Sequence, residues 1–206
     1  MTSVEWRITA VRRQSTVREM RIGILGGTFN PIHLGHLLLA ETARDTLALD
    51  RVLFIPTNQP PHKRVRDLLP AAERLKLVRL AVRDRPSFIA SDIELQRAGP
   101  SYSIETVKIL RRRLPDAKLF LLIGEDMLTV RWRAWDELAR LCTVVAAHRL
   151  AFRSARAERG ITWLKMPALD LASSDIRLRL RSGRSIRYLV PASVERYLQQ
   201  HRLYRR

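Results

Sequence analysis

Short apolar runs alternate with amphipathic stretches along the chain from residue 21 onward. The run Arg21–Gly27 ends in two glycines, which is typical of a buried strand that enters a tight turn. Apolar residues at helical spacing then predict a helix over Leu34–Leu47. The remaining predicted strands are Arg51–Thr57, Phe88–Ile93, Leu119–Gly124, Cys142–Ala147 and Ile161–Met166, and the remaining predicted helices are Pro70–Val82, Ser103–Leu114, Ser173–Leu180 and Ser193–Leu198.

Apolar strands that alternate with helices predict a parallel sheet covered on both faces. Right-handed crossovers then give a Rossmann-like, doubly wound α/β fold, here a single domain with a small helical part at its C-terminal end. Residues 1–19 lack the pattern and are expected to form a disordered or dispensable tail before a domain over residues 20–206. Such sheets bind ligands beyond the carboxyl ends of their strands, so functional residues are expected directly after each strand.

Composition narrows the class of protein. The 206 residues are 46% hydrophobic and 28% charged, which is typical of a folded domain. No apolar run approaches the ~20 residues that span a bilayer, so no membrane association is expected. The single cysteine, Cys142, excludes a disulfide framework, and a reducing cytoplasm is the expected location.

The strong basic balance is a further clue to partners. With 38 basic and 20 acidic residues, the net charge is +18. This charge admits nucleic acids, anionic membranes or phosphorylated small molecules as partners. However, the basic residues are spread along the chain and form no patch interleaved with aromatic residues, so we expect no specific nucleic-acid partner. A basic nucleic-acid-binding protein is kept as the alternative from another functional class.

The segment after the first strand has the parts of a phosphate site. It reads Gly26-Gly27-Thr28-Phe29-Asn30-Pro31-Ile32-His33-Leu34-Gly35-His36 and matches neither the dinucleotide fingerprint nor a P-loop. Glycines let an anion approach the backbone, and the N–H groups of a helix start favour negative charge. His33 and His36 are three residues apart, so both could donate hydrogen bonds from one side of the first helical turn.

This segment resembles the H-x-G-H signature of the nucleotidylyltransferase superfamily. Its form, G-G-T-F-N-P-I-H-x-G-H, is similar to bacterial nicotinate-nucleotide adenylyltransferases. The resemblance implies transfer of an adenylyl group from ATP to nicotinate mononucleotide in NAD biosynthesis, giving deamido-NAD and pyrophosphate. It also implies direct in-line transfer without a covalent intermediate, and Mg²⁺ brought with the triphosphate rather than held by a dedicated protein cage.

Further landmarks occur in the order of that family. Pro60-Pro61-His62-Lys63 resembles its P-P-H-K loop and implies that Lys63 reaches the triphosphate. Gly99-Pro100-Ser101-Tyr102-Ser103 resembles a segment that holds the pyridine nucleotide, although Ser103 also suits a helix N-cap. Gly124 and Asp126 resemble a G-x-D motif whose carboxylate suits ribose hydroxyls, with a helix N-cap as the plainer interpretation of Asp126. Trp132 is expected to stack on the nicotinate ring, and Trp135 is expected in the core.

The late segment Ser173-Ser174-Asp175-Ile176-Arg177 resembles the family's second phosphate motif. Ser173 is expected to cap a helix whose N–H groups bind anions, and Arg177 can donate to phosphate. The resemblance assigns His33, His36, Thr28, Lys63 and Arg177 to catalysis. It assigns ATP binding to Gly26, Gly27, Gly35, Gly124, Asp126, Ser173 and Ser174, and nicotinate-nucleotide binding to Tyr102, Ser103 and Trp132.

Three related points stay open at this stage. Nicotinamide mononucleotide or phosphopantetheine could replace nicotinate mononucleotide as the acceptor in the same chemistry. The charge pattern does not distinguish a monomer from a homo-oligomer. The sequence does not show a pocket donor that would select the nicotinate carboxylate.

Overall fold

The computed structural model describes residues 18–61, 67–147, 160–167 and 169–205. The strands are β1 Arg21–Gly27, β2 Arg51–Pro56, β3 Phe88–Ala90, β4 Lys118–Gly124, β5 Thr143–Ala147 and β6 Ile161–Leu164. The helices are α1 Leu34–Thr46, α2 Ala71–Val82, α3 Ser103–Arg113, α4 Trp135–Leu141, α5 Ser173–Arg181 and α6 Ala192–Gln200, and a 3₁₀ helix spans Glu125–Thr129. All pairings of neighbouring strands are parallel, in the order β3-β2-β1-β4-β5-β6.

Two hydrophobic clusters cover the two faces of this sheet. Because side chains alternate along a strand, Phe120 and Leu122 of β4 face one cluster, whereas Leu121 faces the other. Helices α1, α2, α5 and α6 pack on the first face, and α3 and α4 pack on the second. The predicted Rossmann-like, doubly wound α/β fold is therefore confirmed.

The strand order places the expected ligand crevice at one point of the sheet. The chain proceeds from β1 outward to β3 and then returns to β4 on the other side of β1. The carboxyl ends of β1 and β4 thus flank the point where the order reverses, which is where sheets of this kind bind ligands. Gly27 and Gly124 end these two strands.

Several boundaries differ from the predictions for local reasons. Strand β3 ends at Ala90 because the chain turns at Asp92, whose carbonyl accepts the N–H groups of Leu95 and Gln96. Helix α4 was not predicted, and it starts after Ala134, a residue with a φ of 53°. No helix in the described ranges has both the length and the apolar composition to cross a membrane.

The serine caps that the sequence suggested are wrong. Tyr102 occupies the N-cap of α3 and Ala172 that of α5, both with extended backbone and no side-chain cap. Ser103 and Ser173 are instead the first helical residues, which leaves the Ser173 hydroxyl available for another contact.

The boundary of the N-terminal tail stays a prediction, since residues 1–17 lie outside the described ranges. Just inside them, Arg18 Nη2 lies 2.7 Å from Asp50 Oδ1, and Glu19 pairs with Lys118 at 3.1 Å. The last residues of the predicted tail therefore contact the domain.

Candidate active site

The turn after β1 is shaped to leave its backbone accessible. Phe29 adopts the left-handed region with φ 47°, and the Asn30–Pro31 peptide is cis. Gly26 is exposed, and nothing lies within 4 Å of the place where a Cβ on it would stand. Thr28 is half-buried beside it. This arrangement can receive an anionic ligand against the glycine backbone.

His33 and His36 are held together at the start of α1. His33 is the N-cap, and its backbone N–H donates to Nδ1 of His36 at 3.2 Å. Their ring centroids are 3.7 Å apart, and the Phe29 ring meets His36 edge-on at 4.9 Å. Since Nδ1 of His36 accepts a hydrogen bond, the neutral ring carries its proton on Nε2. Its Nε2–H is a donor that can reach a phosphate oxygen.

The two histidines differ in accessibility. The His33 side chain is buried, with 2% exposure, whereas His36 is half-buried. Gly35 allows this packing, because a Cβ there would stand 3.1 Å from Cε1 and Nδ1 of His33. His36 is consequently the better placed of the pair to contact a ligand, and Gly35 contributes by making room for the ring.

The start of α5 lies directly against the same turn. Ser173 Oγ donates to the carbonyl of Pro31 at 2.8 Å, and Arg177 Nη1 donates to the carbonyl of Asn30 at 2.8 Å. Nε of Arg177 is buried and has no hydrogen-bond partner among the described residues. Ser174 is exposed at the same helix start. The structure thus joins the two predicted phosphate motifs, which are more than 130 residues apart in the chain.

Asn30 anchors this turn, and the sequence reasoning assigned it no role. It is 2% exposed, and its Oδ1 accepts from Tyr204 Oη at 2.6 Å and from the N–H of Leu69 at 3.1 Å. Its Nδ2 donates to the carbonyl of Asp67 at 3.1 Å. Burial raises the pKa of the Tyr204 phenol, so this hydroxyl stays neutral and continues to donate.

Arg74 of α2 is a second residue that the sequence reasoning missed. Its side chain is 0% exposed, and burial lowers the pKa of its guanidinium from the usual value. It donates to the carbonyls of Thr28 and Thr57, each at 2.7 Å. It therefore links the turn after β1 to the loop after β2.

The residues predicted for the pyridine nucleotide lie around α3 and the loop before α4. Tyr102 is half-buried at the start of α3, and the Arg133 guanidinium carbon lies 4.8 Å from its ring centroid. The indole N–H of Trp132 donates to the carbonyl of Met127 at 2.8 Å, and the ring packs edge-on to Trp135 at 5.8 Å. Trp135 is half-buried rather than enclosed in the core. Arg133 thus brings Tyr102 and the Trp132 segment together.

A buried network supports the segment before α3. Thr106 Oγ1 donates to Glu94 Oε1 at 2.6 Å and accepts from Arg97 Nη2 at 2.9 Å. Ser101 Oγ accepts the backbone N–H of Asn58 at 2.8 Å, which ties the segment to the loop after β2. Burial raises the pKa of Glu94, although its hydrogen bonds and Arg97 oppose that shift.

The carboxyl end of β4 places acidic residues beside the crevice. A Cβ on Gly124 would collide with Oδ1 of Asp126, so the Asp126 carboxylate lies close against the backbone of Gly124. Asp126 is half-buried inside the 3₁₀ helix rather than at its N-cap, which is Gly124. Glu125, for which the sequence suggested no role, is 1% exposed.

Lys63, which was predicted to reach the triphosphate, lies outside the described residues.

The donor set of the described residues suits a phosphate more than a bare metal ion. Across residues 18–61, 67–147, 160–167 and 169–205, no group of three or more His, Cys, Asp or Glu side chains could hold a metal. The side chains that meet at the turn are mostly hydrogen-bond donors.

Cys142 is unsuited to covalent chemistry, because burial raises the pKa of its thiol to about 12.

Comparisons with known proteins agree with this geometry. The family model described as cytidylyltransferase-like matches residues 24–179. A Synechococcus protein named "Probable nicotinate-nucleotide adenylyltransferase" is 44% identical over 198 residues, covering 91% of this chain and 96% of that relative. A Thermus thermophilus protein of the same name is 43% identical over 188 residues, covering 90% of this chain and all of that relative.

Solved structures support the fold. The Plasmodium falciparum nicotinic acid mononucleotide adenylyltransferase, in complex with NaAD, superposes with a TM-score of 0.77. The match covers 90% of this chain and 98% of that one at 15% sequence identity. At that level of identity, the likeness concerns the arrangement of strands and helices.

Proposed function

The chain belongs to the cytidylyltransferase-like family and, within it, to the nicotinate-nucleotide adenylyltransferases, and we propose how its residues divide the work of that reaction. The enzyme joins nicotinate mononucleotide to ATP and gives deamido-NAD and pyrophosphate, a step of NAD biosynthesis. The observation that carries the assignment of residues is that Ser173 and Arg177 of α5 donate to the carbonyls of Pro31 and Asn30, in the turn that leads into the His33–His36 helix start.

The reaction needs positioning and charge stabilisation more than bond-making side chains. A phosphate oxygen of nicotinate mononucleotide attacks the α-phosphorus of ATP, forming one O–P bond. The bond from the α-phosphorus to the bridging oxygen breaks, and its electron pair leaves with pyrophosphate. The attacking phosphate is already an anion, so no general base is required. Fixed hydrogen-bond donors that face the developing charge lower the barrier.

The donors at the turn suit this role. Nε2–H of His36 would bond an oxygen of the α- or β-phosphate, and His33 would hold the His36 ring in place through its backbone N–H and ring contact. Thr28 would orient the ligand near the α-phosphate, beside the backbone of the exposed Gly26 and the half-buried Gly27. The start of α5, with Ser173 and Ser174, would receive the departing phosphates.

Arg177 has a mixed role in this proposal. One of its nitrogens already holds the Asn30 carbonyl, so it cannot present its whole guanidinium to the triphosphate. The remaining N–H groups would contact pyrophosphate while the bond to Asn30 fixes the side chain. Lys63 would add a second cation at the triphosphate, as the P-P-H-K resemblance implies.

Mg²⁺ would enter bound to ATP. This ion prefers phosphate oxygens and water and usually keeps several waters. The described residues offer no cluster of three ligating side chains, which fits an ion carried by its nucleotide. Bound in that way, Mg²⁺ would neutralise phosphate charge, and the chain's own donors would orient the reacting groups.

The acceptor side of the site would be formed by Tyr102, Ser103 and Trp132. Tyr102 and the N–H groups at the start of α3 would bind the nicotinate end, and the Trp132 ring would stack on it. Asp126 and Gly124, at the end of β4, would contact the ribose of the adenosine.

Pyrophosphate release from ATP and Mg²⁺ is the direct test. Nicotinate mononucleotide, nicotinamide mononucleotide and phosphopantetheine are offered separately to the same protein preparation. We expect turnover with the nicotinate nucleotide to exceed that with either other acceptor. Faster turnover with another acceptor would retain the chemistry but contradict the pyridine site, and salt-sensitive RNA binding without any turnover would favour the nucleic-acid alternative.

A further inference from the structure

Arg74 is a buried cation that no part of the reaction scheme uses. It lies in the second turn of α2 with 0% of its side chain exposed. Nε donates to the carbonyl of Leu69 at 2.9 Å and Nη1 to that of Thr28 at 2.7 Å. Nη2 donates to the carbonyls of Thr57 and Asn58 at 2.7 and 3.3 Å. Four carbonyl groups from three chain segments therefore meet one guanidinium.

The charge of Arg74 is not balanced by a carboxylate. Within the described ranges, none of its hydrogen bonds or ion pairs involves an acidic side chain. Buried charges are normally paired, and a charge buried without a counter-ion costs free energy that its hydrogen bonds must offset. Filling space on α2 therefore does not explain an arginine here. The arginine is explained by the backbone carbonyls to which its planar guanidinium donates.

The segments that Arg74 holds all border the candidate site. Thr28 belongs to the turn that follows the exposed Gly26, and Leu69 donates its N–H to Asn30 in the same turn. Asn58 donates its backbone N–H to Ser101, next to Tyr102 at the start of α3. Arg74 thus connects the proposed phosphate side with the proposed nicotinate side.

We propose that Arg74 is a positioning residue for adenylyl transfer, which fixes the turn after β1 relative to the loop after β2. The inference rests on the proposed function of this site. In-line transfer requires the attacking oxygen, the α-phosphorus and the hydrogen-bond donors of the site to be aligned. A misplacement of about 1 Å can lower the reaction rate roughly a hundredfold. A guanidinium bonded to backbone carbonyls sets such distances directly, because it acts on the chain and not on another side chain.

Arg74→Lys is the informative substitution. Lysine keeps the charge, but its single ammonium cannot span carbonyls that a planar fork reaches in separate directions. Arg111→Lys is the control for loss of a guanidinium bonded to backbone carbonyls, since the half-buried Arg111 donates to the carbonyls of Ala117 and Leu141 at 2.7 and 2.6 Å. Those carbonyls precede the amino ends of β4 and β5, whereas the site lies beyond the carboxyl ends of the strands.

Both variants are compared with the wild type by thermal unfolding and by steady-state pyrophosphate release, well below each midpoint. We expect Arg74→Lys to lower kcat at least tenfold, with KM for ATP changed less than threefold. Arg111→Lys should keep kcat within twofold of the wild type, even if its unfolding midpoint falls as far as that of Arg74→Lys. Equal kcat in Arg74→Lys and Arg111→Lys would overturn the inference, since a purely structural role gives that result.

Arg74→Met provides the second variant should the lysine form fail to fold. It removes the buried charge at similar volume but leaves the four carbonyls without their donor, so we expect a folded protein with a lower midpoint, again with kcat reduced at least tenfold. A folded Arg74→Met protein with wild-type kcat would contradict the inference. Absence of turnover in the wild type itself would instead refute the proposed function, and the inference with it.

Discussion

His36 combines two hydrogen-bonding roles on opposite sides of one ring, and substitutions can separate them. Nδ1 accepts the backbone N–H of His33 and supports the start of α1. Nε2 carries the proton that we assign to a phosphate contact. Asparagine places its amide oxygen near the position of Nδ1, whereas glutamine places its amide nitrogen near that of Nε2. His36→Asn should therefore keep the helix start and lose the donor, and His36→Gln should do the reverse.

The expected magnitudes follow from these contacts. Loss of one preorganised donor costs about 3–4 kcal/mol of barrier, which lowers kcat by a factor of ~10²–10³. Loss of the bond at the helix start costs about 1 kcal/mol of folding free energy. In a domain of this size, that cost lowers the unfolding midpoint by about 2–4 °C. His36→Asn should thus lose the larger part of its turnover while keeping its midpoint.

The assay measures kcat for pyrophosphate release with nicotinate mononucleotide, together with thermal unfolding of each variant. We expect His36→Gln to retain at least tenfold more turnover than His36→Asn, despite the lower midpoint. Near-wild-type turnover in a folded His36→Asn protein would refute the assignment of Nε2 to the phosphates. Equal losses in both variants would indicate that the ring acts through packing against Phe29 rather than as a donor.

Three further predictions address other parts of the site. The pKa of Glu94 is raised by burial, so the carboxyl costs stability as pH rises above its ordinary value of 4.5. Glu94→Gln should raise the unfolding midpoint at pH 8 and lose that advantage towards pH 4; an equal difference at both pH values would contradict this. Arg133 stacks on Tyr102 beside the proposed nicotinate position, so Arg133→Gln should lower the kcat/KM preference for nicotinate over nicotinamide mononucleotide several-fold. An unchanged ratio would argue against a charge effect there. Tyr204→Phe removes the bond to Asn30 Oδ1, which keeps a second donor, so unfolding should be easier by about 1 kcal/mol, measured by urea titration. A loss above ~3 kcal/mol would contradict the view that Asn30 stays satisfied.

The fold was predictable because its signal is local. The apolar run Leu119–Gly124 and the amphipathic stretch from Ser103 each indicate their own element, and a parallel sheet follows from their alternation. Helix α4 was missed because Trp135–Leu141 is short and begins after a residue with positive φ, which the sequence does not mark. The cap of α5 was misjudged because of a contact outside its own helix. Serine predicts a cap only when no contact elsewhere competes for its hydroxyl, and Pro31 supplies such a contact for Ser173.

The site divides into residues that carry a motif and residues that hold the motif in place. His33 and His36 were recognisable because their chemistry depends on neighbours within one helical turn. Arg74 and Asn30 were not, because their partners lie in distant segments: backbone carbonyls up to 46 residues from Arg74, and the Tyr204 hydroxyl and the N–H of Leu69 for Asn30. Contacts of this kind leave no trace in local side-chain patterns.

One signal could nevertheless have identified Arg74. It lies three and four residues before Leu77 and Val78, which places a charged side chain on the apolar face of α2. A charge on a buried helical face is costly unless hydrogen-bond partners surround it, so the sequence pattern alone indicates a polar network at such a position. In a doubly wound sheet, the C-terminal part of each strand and the first turns of each helix adjoin the ligand crevice. A buried arginine at that level of the fold is therefore best interpreted as a support of the site, which is the interpretation that Arg74→Lys and Arg111→Lys will distinguish from a general stabilising role.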